Sequence, residues 1–111
     1  MQIVNSLTPA EFAERWPPQR ANDDVTLLDV REQYELAIAR IESASWIPMA
    51  QVPMRLDELD RSKIIVVMCH SGMRSMRVAQ YLASNGFAPV FNLSGGIDAW
   101  SREVDQSVPR Y

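Results

Sequence analysis

Dense apolar runs and helically spaced apolar residues take turns along this chain, and their alternation predicts its elements. Residues 2–4 suit a short strand. Thr8, Pro9 and Glu11 then supply a cap, a first-turn proline and a capping-box acid, which together start a helix. Phe12 and Trp16 lie one turn apart on its face, and Pro17 with Pro18 ends it, because neither ring continues the backbone hydrogen bonding. Residues 25–30 form an apolar run interrupted only by Thr26 and Asp29, short enough for a buried strand. Residues 31–39 read as helical, 44–47 before Pro48 as a brief strand, and Val52, Leu56 and Leu59 recur at helical spacing.

The strongest strand is 64–68, five apolar residues in succession, as a central parallel strand covered on both faces requires. From 74 to 85 the positions Val78, Ala79 and Leu82 repeat at helical intervals, and Gly86 supplies a left-handed stop. Residues 90–93 form a further strand, Ser94, Gly95 and Gly96 turn the chain, and 97–102 make a last short helix. A polar tail follows from about residue 103 and is expected to be loose. Strands and helices thus alternate throughout, which predicts an α/β fold with a central parallel sheet and helices on both faces. With 111 residues, nearly half of them apolar, the chain can fill one core but not two, so a single domain over 1–111 is expected.

Composition narrows the function. The formal charge is -3 and basic residues are scattered among acidic ones, apart from Arg74 and Arg77, so no nucleic-acid partner is expected. The first dozen residues hold neither an apolar run nor a basic leader, so no signal peptide or membrane span is expected and a cytoplasmic address is the default. Cys69 is the sole cysteine, which excludes an internal disulfide, and His70 beside it is the sole histidine. Two adjacent ligands lack the number and spacing of a tetrahedral zinc site, so neither a metal nor a cofactor is expected.

The chemistry concentrates in Cys69, His70, Ser71, Gly72, Met73, Arg74 and Ser75, between the strongest strand and a well-formed helix. Ligands of open α/β sheets bind beyond the carboxyl ends of the strands, where this loop and Asp29 both fall. Such a loop can curl its N–H groups inward and add the positive end of the following helix, which makes an anion cradle. Gly72 allows the tight backbone path, and Arg74 brings a permanent charge with a planar donor fork. A cysteine in such surroundings has a lowered pKa and is a nucleophile at neutral pH. Attack on the outer sulfur of a donor such as thiosulfate would leave a persulfide and release sulfite. Plainer readings stand beside these: an inert buried Cys69, a His70 that only tunes the field or contacts substrate, and an Arg74 engaged in a structural salt bridge.

Three blocks resemble the rhodanese family, specifically its small single-domain sulfurtransferases: LLDVREQYE at 27–35, CHSGMRS at 69–75 and NLSGGIDAW at 92–100. The resemblance spans nearly the whole chain. It implies that Cys69 carries persulfide sulfur, that His70 to Arg74 cradle it, and that Asp29 and Arg31 support the neighbouring turns without reacting. Gly95, Gly96 and Trp100 would be architectural. It further implies a small sulfur donor and a thiol, cyanide or protein sulfur acceptor. One departure stands at 39–48, ARIESASWIP, where relatives typically read a histidine, an isoleucine and a glycine-alanine pair before isoleucine-proline. Glu42 and Ser43 stand there without the glycine, in a wall expected near the substrate entrance.

Two rivals remain. Related folds with a cysteine and an arginine around a phosphate-sized loop hydrolyse phosphoesters or reduce arsenate. They place five residues between the two, whereas Cys69 and Arg74 enclose four, and no loop aspartate is present to act as general acid. The second rival is a non-catalytic binding or regulatory module, whose examples often lack the cysteine.

Overall fold

The computed structural model describes residues 4–17 and 23–111. Among these residues there are five strands, β1 (Asn5–Leu7), β2 (Val25–Asp29), β3 (Ser45–Trp46), β4 (Ile64–Met68) and β5 (Val90–Leu93). They form one sheet in the order β1-β5-β4-β2-β3, and every pairing is parallel. The helices are α1 (Pro9–Arg15), α2 (Gln33–Ile38), α3 (Met73–Ser84) and α4 (Gly96–Glu103), with two short 3-10 helices at Met49–Met54 and Leu56–Glu58. None of the helices among the described residues is long and apolar enough to cross a membrane.

Successive side chains of a strand point to opposite faces, so the unbroken apolar run of β4 feeds two cores at once. Ile65 and Val67 pack with Val78, Ala79 and Leu82 of α3 and with Val52. Val66 and Met68 pack on the other side with Phe12 and Trp16 and with Ile97 and Trp100 of α4. The sheet is therefore covered on both faces, as the alternation of elements predicts. α1 begins with the expected capping box, Thr8 Oγ1 accepting from the Glu11 N–H and the Thr8 N–H donating to Glu11.

The differences from the sequence reading are local. The first strand among the described residues is Asn5–Leu7; of the strand expected at 2–4, Val4 is not part of it, and Gln2 and Ile3 lie outside the described residues, as does Pro18. β1 is an edge strand whose place is set by pairing with Phe91, Asn92 and Leu93, so its own sequence need not be apolar. The helix expected over 31–39 starts only at Gln33, because the Arg31 N–H turns back to Asp29 Oδ1 at 3.1 Å and Arg31 is drawn into the interior. The helical spacing of Val52, Leu56 and Leu59 resolves into two 3-10 turns, since Pro53 in the first cannot donate to a continuous α-helix. The polar tail folds back instead of hanging loose: Val108 is buried and the Ser101 hydroxyl donates to its carbonyl.

Candidate active site

Parallel pairing sets the site. The Val30 N–H donates to the Met68 carbonyl at 3.0 Å, which fixes the ends of β2 and β4 side by side and brings the turns after Asp29 and Met68 together. Cys69 follows β4 directly. Gly72 then adopts φ +104°, a left-handed conformation that lets the loop close and α3 begin at Met73.

That turn aims donors at the sulfur. The Gly72 N–H donates to Cys69 Sγ at 3.1 Å, the Ser75 N–H at 3.4 Å, and the Ser75 hydroxyl lies 3.3 Å away. Cys69 is only 1% exposed, yet its sulfur faces hydrogen-bond donors as well as the hydrocarbon of the α3-side core. Burial pushes its thiol pKa up and is the largest single effect. The Ser75 hydroxyl and N–H together with the Gly72 and Ser71 N–H groups outweigh it, and the net direction is down. These donors favour the thiolate more than an ordinary cysteine's surroundings do.

Ser75 is fully buried and its hydroxyl lies 2.6 Å from Asn92 Oδ1, while Asn92 Nδ2 donates to the Gly72 carbonyl at 3.1 Å. A hydroxyl has one proton, so at any instant it serves either Asn92 or Cys69. Ser75→Ala removes that donor and leaves the backbone ones. The midpoint of Cys69 alkylation against pH is expected to rise by about one pH unit, the worth of one hydrogen bond to a charged acceptor. An unmoved midpoint would show that the hydroxyl belongs to Asn92 alone.

Arg31, fully buried, commits all five N–H groups. Nε and Nη2 take Asp29 at 2.8–3.2 Å, Nη2 also takes the Ala39 carbonyl at 2.8 Å, and Nη1 takes the Glu35 carbonyl and the Tyr111 hydroxyl. Its own carbonyl accepts from Trp46 Nε1 at 2.8 Å. Removing one partner of such a buried pair leaves a lone charge, at a cost of about 3–5 kcal/mol. Asp29 and Arg31 thus tie the turn after β2 to the segment after α2.

Arg74 departs from the simplest expectation, a guanidinium turned wholly toward an anion. Its Nη1 and Nη2 take both oxygens of Glu35, at 2.7 and 2.8 Å, and among the described residues no acceptor takes its other three N–H groups. Arg74 is a third exposed while Glu35 is buried. The remaining loop residues are spread around the rim: Ser71 is exposed, Met73 is 79% exposed, and the His70 ring stacks on Tyr111 with centroids 4.1 Å apart and planes 8° from parallel.

The hydrogen bonds from Arg74, ahead of an opposing effect of burial, hold the Glu35 pKa at about 2 against an ordinary 4.5; the Glu32 N–H and the Tyr111 hydroxyl lower it further. A carboxylate lowered in the folded state stabilises above its unfolded pKa, and the contribution is lost as pH falls toward the folded value. Unfolding free energy is therefore expected to drop by about 2–3 kcal/mol between about pH 5 and pH 2 through this group. Glu35→Gln should be less stable at pH 7 and lack that part of the acid slope in urea titrations; an unchanged slope would mean the pair is not coupled to folding.

Glu35, Asn92 and Tyr111 are site residues that sequence reasoning did not single out. Asn92 alone left a mark there, a polar side chain inside the apolar run of β5. Of the departing segment 39–48, Ile47 lies in the same core cluster as Cys69. Ile41, Glu42 and Ser43 line a cavity of about 720 Å³ with Trp100, Val104 and Val108, and its lining includes none of residues 69–75.

Comparisons with known proteins bear on the family and the fold. The chain is 40% identical over 100 residues to a sulfurtransferase of Allochromatium vinosum, covering 90% of this chain and 91% of that one. It is 33% identical over 81 residues to the thiosulfate sulfurtransferase GlpE of Actinobacillus pleuropneumoniae, covering 73% and 75%. A rhodanese-like domain protein of Staphylococcus aureus superposes with a TM-score of 0.79 at 30% identity, over 97% of this chain and 99% of that one. The family model of the rhodanese-like domain matches residues 10–103, and the chain belongs to that family.

Proposed function

We propose that this chain is a sulfurtransferase that takes sulfane sulfur from an anionic donor, thiosulfate by preference, and carries it as a persulfide on Cys69. The observation that carries this reading is the convergence of the Gly72 and Ser75 N–H groups and the Ser75 hydroxyl on one sulfur atom, at the start of α3. Relatives bearing the names sulfurtransferase and thiosulfate sulfurtransferase support it.

In the first half-reaction the Cys69 thiolate attacks the outer sulfur of thiosulfate. A bond forms between Sγ and that sulfur, the bond to the sulfonate sulfur breaks, and its electron pair leaves with sulfite. One monoanion and one dianion become a persulfide anion and a sulfite dianion, so charge balances without a proton. The inward N–H groups that stabilise the thiolate are suited to stabilise the terminal persulfide sulfur as well. The N–H groups of Arg74 that Glu35 does not take would serve the charge of the donor, with Glu35 fixing the guanidinium plane.

In the second half-reaction an external thiolate or cyanide attacks the outer persulfide sulfur, and the Cys69 thiolate leaves. No second cysteine exists to discharge the persulfide as an internal disulfide, so the acceptor comes from solution or from a partner protein. Such chemistry on a lone thiol suits a reducing compartment, the cytoplasm.

The test is steady-state sulfur transfer from thiosulfate to cyanide with both concentrations varied. Parallel double-reciprocal lines are expected, the signature of a covalent intermediate formed before the acceptor binds. Folded, reduced protein that yields neither thiocyanate with cyanide nor sulfide with a small thiol as acceptor would overturn the reading and favour a binding module.

A further inference from the structure

The chain after α4 runs back to the Cys69 loop along a series of anchors. The Asp105 N–H donates to the Trp100 carbonyl at 3.1 Å, the Val108 N–H to the Asp105 carbonyl at 3.1 Å, and Arg110 Nε to Asp98 Oδ1 at 2.9 Å. With Val108 seated in the core, these contacts fix where Tyr111 arrives. Its ring lies flat on His70, and its hydroxyl accepts from Arg31 Nη1 and donates to Glu35 Oε1, both at 2.9 Å.

The two contacts reach opposite ends of the loop. His70 directly follows the thiol, and Glu35 holds Arg74 in the first turn of α3. One side chain therefore touches the residue next to the thiol and, through Glu35, braces the loop's arginine, around a cysteine that is 1% exposed.

We propose that Tyr111 is a specificity-determining wall of the donor entrance, which admits small inorganic donors of the size of thiosulfate and disfavours bulky organic thiosulfonates. The identity of the donors rests on the sulfurtransferase reading; the wall itself rests on the stacking and hydrogen bonds. The wall is the ring, so Tyr111→Phe keeps it and Tyr111→Ala removes it.

Two reagents that alkylate Cys69 without sulfur chemistry, iodoacetamide and its fluorescein conjugate, measure the entrance. In Tyr111→Ala the rate with the bulky reagent relative to the small one is expected to rise about tenfold, the usual worth of an opened pocket wall, while Tyr111→Phe stays within about twofold of the parent. The ratio of kcat/KM for benzenethiosulfonate to that for thiosulfate should rise by a similar factor. Thermal melts of both variants accompany the rates.

Equal acceleration of both reagents in Tyr111→Ala, or none, overturns the proposal, because a general loosening does not discriminate by size. A Tyr111→Phe variant that behaves like Tyr111→Ala also overturns it, since the ring would then be irrelevant. An altered alkylation ratio with no sulfur transfer from either donor supports the wall and overturns the sulfurtransferase reading instead.

Discussion

Cys69→Ser is expected to lower thiosulfate-to-cyanide sulfur transfer by a factor on the order of 10⁴ or more while leaving the fold intact. A serine hydroxyl nearly matches the thiol in size and can accept the same N–H groups of Gly72 and Ser75, so stability should change by no more than about 1 kcal/mol. What is lost is ionisation. The donors around residue 69 lower the pKa of the thiol, whereas an alkoxide lies far beyond their reach. No sulfur–sulfur bond can form on oxygen in any case. Steady-state kinetics and a urea titration of the same preparation check both halves, and retained transfer would show that another group carries the sulfur.

Gly96→Ala has the second large effect, and its cause lies in backbone. Gly96 has φ +59°, and a Cβ there would overlap the carbonyl oxygens of Cys69 and His70. Those carbonyls are held from the start of α4, by the Ile97 N–H on Cys69 at 2.9 Å and the Asp98 N–H on His70 at 3.2 Å. The loop cannot give way without moving the thiol. A loss of about 2–4 kcal/mol is expected from overpacking together with the strained conformation. In the protein that still folds, kcat/KM should fall about a hundredfold, since a shift of the nucleophile near 1 Å is enough. Urea titration and kinetics report the two separately; a variant with parental activity would mean that α4 does not position the loop.

The parts of the fold that read directly from the sequence are those set by local pattern. The five apolar residues of β4, the capping box at Thr8 and the spacing of Val78, Ala79 and Leu82 each declare an element by themselves. The Cys69 loop reads for the same reason, since its cysteine, glycine and arginine lie within six residues. Glu35 did not, because its meaning comes from Arg74, thirty-nine residues on. In sequence it is one more acid on a short helix; in the fold it is the buried counter-charge of the loop.

Tyr111 was hidden by its surroundings. The residues before it are polar, so the segment reads as solvated, and nothing local indicates that Val108 is buried or that Asp98 pairs with Arg110. Arg31 shows the opposite difficulty. Its proximity to Asp29 was legible, but helical spacing placed it inside α2, and only the competing Asp29 carboxylate explains why it leaves that helix for the interior.

Intact-protein mass spectrometry after incubation with thiosulfate examines the persulfide on Cys69 without relying on any acceptor. The expected result is a gain of one sulfur atom, mapped to the peptide containing Cys69, removed by cyanide and absent from Cys69→Ser. A folded protein with a free thiol whose mass stays unchanged at saturating thiosulfate would contradict it.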